Sequence, residues 1–170
     1  MPPADGPVAR PARHGDLDGI REVMVRTRPL DADSGVDQVA RAISDDHRAV
    51  VVAVVGPRIV GWGKTHLFAD ADGVAPAGHY LAGITVDPEF RRLGAGAALT
   101  QARISWVGER SASVYYFTNR RNTASIALHQ RWGFREIARG PSFHAVPFDG
   151  GAGLLMQADL GPSATRHISP

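Results

Sequence analysis

A mixed α/β domain, with a central mixed sheet flanked by helices, is the fold this sequence predicts, and three observations carry that reading. Some stretches place apolar residues at helical spacing, whereas others are β-branched runs. The two kinds interleave in the order β-α-α-β-β-β-α-β-α-β-β, which is not a plain βαβ repeat. The chain has 170 residues, the length of a single domain. One domain over 1–170 is therefore expected, with residues 1–6 and 161–170, rich in Pro, Gly, Ser and Ala, as loose tails.

Each element has its own local signal. Val8 to Arg13 reads as an edge strand, where Pro11 is tolerated because an edge can spare a donor. Leu17, Ile20, Val23 and Met24 form a helical stripe that Asp16 is placed to cap and Pro29 ends. A second helix is expected from Ser34, with Val36, Val39, Ala40 and Ile43 on one face and Ser34 with Asp37 as a capping box. The run at 49–55 and the stretch from Ile59 to Phe68 read as strands around a Gly56-Pro57 turn. Residues 69–78 read as a mobile loop, and 79–86 as a strand closed by Asp87-Pro88. A helix over Gly94 to Arg110 and a strand over 113–119 follow. A further helix, Thr123 to Trp132, is stopped by Gly133, and strands at Phe134 to Arg139 and Gly153 to Asp159 close the chain.

Composition removes several kinds of chemistry. There is no cysteine, so disulfides, thiolate zinc sites and cysteine nucleophiles are excluded. The seven histidines are dispersed and form no metal-ligand motif, so no metal is expected. Nineteen basic against 17 acidic residues leave a net charge of +2, without the basic stripe that nucleic-acid binding requires. The longest apolar run, Ala49 to Val55, is far shorter than the ~20 residues that span a bilayer. The first residues contain no apolar core of a signal peptide, and the sequence reads as cytoplasmic, without membrane or nucleic-acid partners.

The densest signal is Arg-Arg-Leu-Gly-Ala-Gly at 91–96, set between a strand and a helix. The first N–H groups of a helix lack internal partners and its dipole favours anions there. Gly94 and Gly96 carry no Cβ to hold a phosphate away, and Arg91 and Arg92 add charged donors. A solvated basic turn is the plain alternative. A P-loop is excluded because Ala97-Ala98 stand where Lys and Ser or Thr belong. A dinucleotide fingerprint is excluded because Leu99 holds the third small position, and Asn119 stands where an acid would close the next strand.

Taken whole, the stretch from Val86 to Gly96 resembles motif A of the GNAT superfamily of acetyl-coenzyme A-dependent N-acetyltransferases, whose core is [Q/R]-x-x-G-x-[G/A]; Arg91, Gly94 and Gly96 fill its defined positions. The block from Asn122 to Phe134 is similar to a later helix of that family, and the order of elements matches from Val8 to Leu160. The resemblance implies an enzyme using acetyl-CoA. Arg91, Arg92, Leu93, Gly94, Ala95, Gly96 and Ala97 would cradle the pyrophosphate. Main-chain groups of Ile84, Thr85 and Val86 would line the pantetheine arm, with Asn122 and Ser125 also at the cofactor. The Val86 N–H would serve as donor to the oxyanion of a tetrahedral intermediate.

Two departures from the family bear on catalysis. His129 stands where the family usually has the Tyr that protonates the departing thiolate, and histidine can donate a proton as well. Ala82 stands where antibiotic-acetylating relatives often carry a strand glutamate, so the general base is unassigned. Acceptor-site candidates are Asp31, Asp33, His79, Tyr80 and His144. The resemblance places the acceptor pocket near residues 28–33 and 142–151. Three functions follow: acetylation of a small-molecule amine, with an aminoglycoside or other antibiotic-like amine leading; acetylation of a protein N-terminus or lysine; or a non-catalytic acyl-CoA sensor. A homodimer is a further expectation by analogy, because dimers are frequent in the family.

Overall fold

The computed structural model describes residues 5–161. Residues 1–4 and 162–170 of the expected tails, with His167, lie outside the described residues. Among the described residues nine strands and four α-helices, besides short 3-10 turns, follow in order: β1 (Val8–Pro11), α1 (Leu17–Thr27), α2 (Ala32–Ile43), β2 (Val50–Val55), β3 (Arg58–Phe68), β4 (Gly78–Val86), α3 (Ala95–Gly108), β5 (Ser113–Asn119), α4 (Thr123–Gln130), β6 (Arg135–Gly140), β7 (Ser142–Phe143), β8 (Val146–Pro147) and β9 (Gly153–Asp159). Seven strands form one mixed sheet in the order β1-β2-β3-β4-β5-β9-β6, and β7 pairs with β8 separately. None of the described helices is long and apolar enough to cross a membrane.

The chain divides into two compact units. The first, Met1–Thr65 with Ala82–Arg103, is organised around β2. Val50 and Val52 pack with Ile20, Met24, Val39 and Ala42 of α1 and α2. Val51 and Ala53, alternating to the other face, pack with Val60, Ala95 and Leu99. Cover on both faces explains why β2 is an unbroken apolar run rather than an alternating one.

The second unit, His66–Leu81 with Ile104–Pro170, repeats this logic around β5 and β9. Val114, Tyr116, Leu154 and Met156 pack with Ile104 and Val107. Leu155 faces the other way, into a cluster with Tyr80 and Phe143 and the partly buried Phe117. β5 and β9 pair over seven antiparallel positions from Ser113↔Asp159 to Asn119↔Gly153. β4 and β5 run parallel, with Tyr80 opposite Tyr115.

The structure corrects the sequence reading at several boundaries. α2 starts at Ala32, and the Ser34 hydroxyl donates to the Asp31 carbonyl, so Ser34 and Asp37 form no capping box. The Asp16 carboxylate makes no cap to α1. Instead it accepts from the Arg10 guanidinium at 2.7 and 2.8 Å and from the Arg13 N–H at 2.7 Å. The loop after β3 is pinned by paired main-chain bonds between Asp72 and Ala75, and Ala75 is fully buried. The β7–β8 hairpin has strands of two residues, too short for any periodic signal.

Candidate functional site

The turn between β4 and α3 is held at its base by a buried carboxylate. Asp87 accepts from Arg26 at 2.5 Å, from Arg58 at 3.0 Å and from the Glu89 N–H at 3.0 Å. Burial pushes its pKa up, but the Glu89 N–H and the two guanidinium groups prevail and hold it below the ordinary carboxylate value. Beyond this anchor the backbone turns through left-handed conformations at Arg92 (φ 62°) and Gly94 (φ 95°). A Cβ at Gly94 would have nothing within 4 Å, so glycine is needed there for conformation and for keeping the space open.

The first helical hydrogen bond of α3 runs from the Ala98 N–H to the Gly94 carbonyl at 3.0 Å. The N–H groups of Ala95, Gly96 and Ala97 thus belong to the first turn, where a helix has no acceptors of its own. Arg91, Arg92 and Leu93 are exposed around them. The seven residues read from sequence as one cradle are contiguous in this turn. Their arrangement suits a phosphate-bearing ligand: open backbone donors, a helix N-terminus and two exposed guanidinium groups.

A cavity of about 280 Å³ lies within the first unit. α1 contributes Met24 and Thr27, the following segment Arg28 and Asp31, and α2 Gln38. β3 supplies Trp62 and Lys64, and β4 supplies Gly83, Ile84 and Thr85. Two of the expected pantetheine-lining residues therefore also border the cavity. Of the five acceptor-site candidates only Asp31 lines it. Asp33 is exposed and accepts from Arg21 at 2.8 Å.

Sequence reasoning missed Trp62 and Lys64, although Gly-Trp-Gly-Lys at 61–64 carries a signal. Strand alternation puts Trp62 and Lys64 on one face and the two glycines on the other. The glycine face admits α3: a Cβ on Gly63 would lie 2.7 Å from Ile84 Cγ2 and 3.4 Å from Arg103 Nε. Arg103, 1% exposed, donates to the carbonyls of Ala82, Lys64 (3.2 Å) and Leu99 (3.3 Å). Burial without an acidic partner pushes its pKa down to about 9. Arg103 thereby ties β3 and β4 together behind the cavity. Burial, and then the charge of Arg48, also lowers the Lys64 pKa from its ordinary value.

The α4 residues lie in the second unit. Asn122 caps α4, its side-chain oxygen accepting from the Ser125 N–H at 3.2 Å. His129 is buried at 6% exposure, so it is not a surface histidine. Its Nδ1 lies 2.7 Å from the Ser125 carbonyl; since a carbonyl only accepts, this bond places the proton on Nδ1. The ring stacks on Tyr116 with centroids 3.9 Å apart and meets the edge of Phe134. The Tyr116 hydroxyl is buried and has no hydrogen-bond partner among the described residues, and burial pushes its pKa up to about 12.

Tyr80 and His144 come together in the same unit, in a packed cluster. The Tyr80 hydroxyl donates to the Pro76 carbonyl at 2.7 Å, and burial raises its pKa. His144 Nε2 lies 3.1 Å from the same carbonyl and 3.2 Å from the Tyr80 oxygen, and its ring stacks on Phe68 at 3.8 Å. His79 is half-buried in β4, edge-on to Trp106. Among the described residues no group of three or more His, Asp or Glu side chains is placed to hold a metal.

Similarity to known proteins resolves the family. The model of the acetyltransferase (GNAT) family matches residues 17–134. The chain belongs to the GNAT acetyltransferase family. An N-alpha-acetyltransferase of Sulfurisphaera tokodaii is 33% identical over 112 residues. The match covers 65% of this chain and 64% of that relative, so slightly less than two thirds of the relative's length is spanned. The fold is similar to that of the ribosomal-protein-S18-alanine N-acetyltransferase from Escherichia coli, with a TM-score of 0.67, 19% identity and coverage of 96% of this chain and 99% of the other. A phosphinothricin acetyltransferase from Sinorhizobium meliloti, solved in complex with AcCoA, gives a TM-score of 0.70 at 18% identity, covering 95% and 92%. The GNAT segment, residues 17–134, contains the turn before α3, every residue that lines the cavity, and α4.

Proposed function

We propose that this GNAT chain transfers an acetyl group from acetyl-CoA to a primary amine. The observation that carries the reading is the turn at 91–97, with its left-handed glycine, open Gly94 position and first-turn N–H groups for which the helix itself provides no acceptor. These features fit the pyrophosphate of coenzyme A, and Arg91 and Arg92 would pair with its charge. Acetyl-CoA, when bound, supplies an acetyl group activated as a thioester. In the net reaction the amine nitrogen bonds to the acetyl carbon, the carbon–sulfur bond breaks and the amine gives up a proton.

Main-chain direction supports the role given to Val86. The Asp87 N–H donates to the Val60 carbonyl of β3 at 2.8 Å. Successive N–H groups of an extended chain alternate in direction, so the Val86 N–H points away from β3 and is not consumed by that pairing. It is thereby a main-chain donor for developing negative charge on the acetyl oxygen. His129 is the proton donor to the thiolate in this reading; with its Nδ1–H held by the Ser125 carbonyl, it donates from Nε2 and must do so as the imidazolium, protonated on both nitrogens. Asn122 and Ser125 hold the start of α4 through their own hydrogen bond.

A small-molecule amine is the acceptor we favour, because the cavity beside Ile84 and Thr85 has a volume of only about 280 Å³. Acetylation of a protein N-terminus is the second reading, favoured by the name of the 33%-identical relative. A thiol-release assay with acetyl-CoA against amines and peptides tests the proposal. The absence of cysteine makes every new thiol attributable to the coenzyme. Binding of acetyl-CoA without thiol release on any amine would overturn catalysis in favour of a sensor. Gly94→Val, which forces a β-branched side chain into a left-handed position and fills the open space, should weaken acetyl-CoA about 100-fold or more by calorimetry. Retained affinity would refute the cradle.

A further inference from the structure

We infer that the cavity of the first unit takes an acceptor amine carrying an anionic group, a carboxylate in the simplest case, close to the amine. The inference rests on the transferase reading above and specifies the substrate class of the same site. It starts from polar groups that the protein leaves unsatisfied. Lys64 is half-buried on the cavity wall, and its ammonium makes no ion pair or hydrogen bond among the described residues. The Trp62 indole nitrogen, two residues along the same strand face, is buried and has no hydrogen-bond partner among the described residues. Arg28, also on the wall, enters none of the ion pairs among the described residues.

Neither a buried N–H donor nor a half-buried ammonium persists cheaply without an acceptor. Elsewhere in this unit such groups are paired: Arg10 with Asp16, Arg26 and Arg58 with Asp87, Arg48 with Asp45. Among the residues lining the cavity the sole carboxylate is Asp31, against the two cations Arg28 and Lys64. The surplus of donors calls for an acceptor group on the ligand, and a carboxylate supplies charge and two oxygens together. Asp31 is then available to the substrate's ammonium before it loses its proton. A polycation such as an aminoglycoside meets the opposite balance, two like charges and a single carboxylate.

The same chemistry occurs in two sources, a free amino acid and the N-terminus of a peptide with an acidic side chain nearby. The experiment separates them. Each L-amino acid is compared with the amine that lacks its α-carboxylate, and peptides with an acidic second residue are compared with neutral ones. Each compound is measured by thiol release with acetyl-CoA and by calorimetric binding to the protein loaded with coenzyme A. At least one acid should exceed its decarboxylated counterpart in kcat/KM by about tenfold or more, the size of one charged hydrogen bond. Lys64→Met should erase most of that ratio by raising KM for the acid, with a melting temperature that does not fall, and Lys64→Arg should restore part of it.

Preference for the decarboxylated amines, or a ratio that Lys64→Met leaves intact, would overturn the inference. So would the absence of carboxylate binding to the coenzyme-loaded protein. Lys64-dependent binding and turnover of the acidic peptides alone would support the inference with a protein N-terminus as the source. Lys64-dependent carboxylate binding without thiol release would leave this inference standing and remove the transferase reading.

Discussion

Two regions of this chain each combine aromatic rings with polar side chains and solve opposite problems. The cavity of the first unit brings together Trp62, Lys64, Arg28 and Asp31; the cluster of the second brings together Phe68, Tyr80, His144 and Phe117. In the cluster the polar atoms serve one another: Tyr80 and His144 share the Pro76 carbonyl, and the rings stack or meet edge to edge. In the cavity the indole N–H and the ammonium have no such partner among the described residues. Residue type alone therefore does not mark the site. A polar group whose hydrogen bonds close internally contributes to stability, and the ammonium left unpaired on the cavity wall is the one that the reading proposed above assigns to a ligand.

The contrast predicts that truncations in the cluster affect stability and those in the cavity affect function. Phe68→Ala should have the largest effect, about 3 kcal/mol of destabilisation, the lower end for an aromatic truncation because Phe68 is only half-buried. Urea denaturation would measure it, and a loss below about 1 kcal/mol would show that the cluster is not a packing unit. Tyr80→Phe removes one hydroxyl bonded to Pro76 and His144 and should cost about 1 kcal/mol, read the same way.

Trp62→Phe should be close to neutral in stability, within about 0.5 kcal/mol after the loss of ring volume, because the lost N–H has no partner among the described residues. It should nevertheless raise the acceptor KM, and a stability loss without a KM change would erase the distinction between the two regions. The smallest effect concerns acid. The folded pKa of Asp87 lies below its unfolded value of 3.8, so its contribution is complete above 3.8 and is lost as pH falls through the lower folded value. The hydrogen-exchange protection of the Glu89 amide, which donates to Asp87, should fall in that window. Protection insensitive to acid would mean that Asp87 does not organise the turn.

Much of the candidate site on the donor side is legible in the sequence. The glycines and arginines of 91–96 act through local backbone geometry, and a strand–turn–helix junction places those atoms together whatever the rest of the chain does. Asn122 and Ser125, expected at the cofactor through the resemblance, instead show a helix cap that the sequence reading did not name, although a cap is a contact only three residues long. The acceptor side is mostly not. Asp31 and Asp33 are equivalent in one dimension, yet Asp31 lines the cavity and Asp33 turns away to Arg21. His144 and Tyr80 have the residue types of an active site and are bonded to each other. Asp16 and Ser34 mislead for a similar reason, because nearby Arg10 and the Asp31 carbonyl engage their side chains instead of the expected caps.

By itself the sequence determined the alternation of strands and helices, the apolar runs of β2 and β5 and the anion-ready turn before α3. All of these depend on spacing and backbone conformation over a few residues. The tertiary structure alone decided which polar side chains remain unsatisfied. That property belongs to a whole neighbourhood: Lys64 is unpaired among the described residues because no carboxylate from α1, α2 or β4 reaches it, and Arg103 is buried because three carbonyls from two strands and its own helix enclose it. Desolvation and pairing depend on distances between residues far apart in the chain, and those distances exist only after folding.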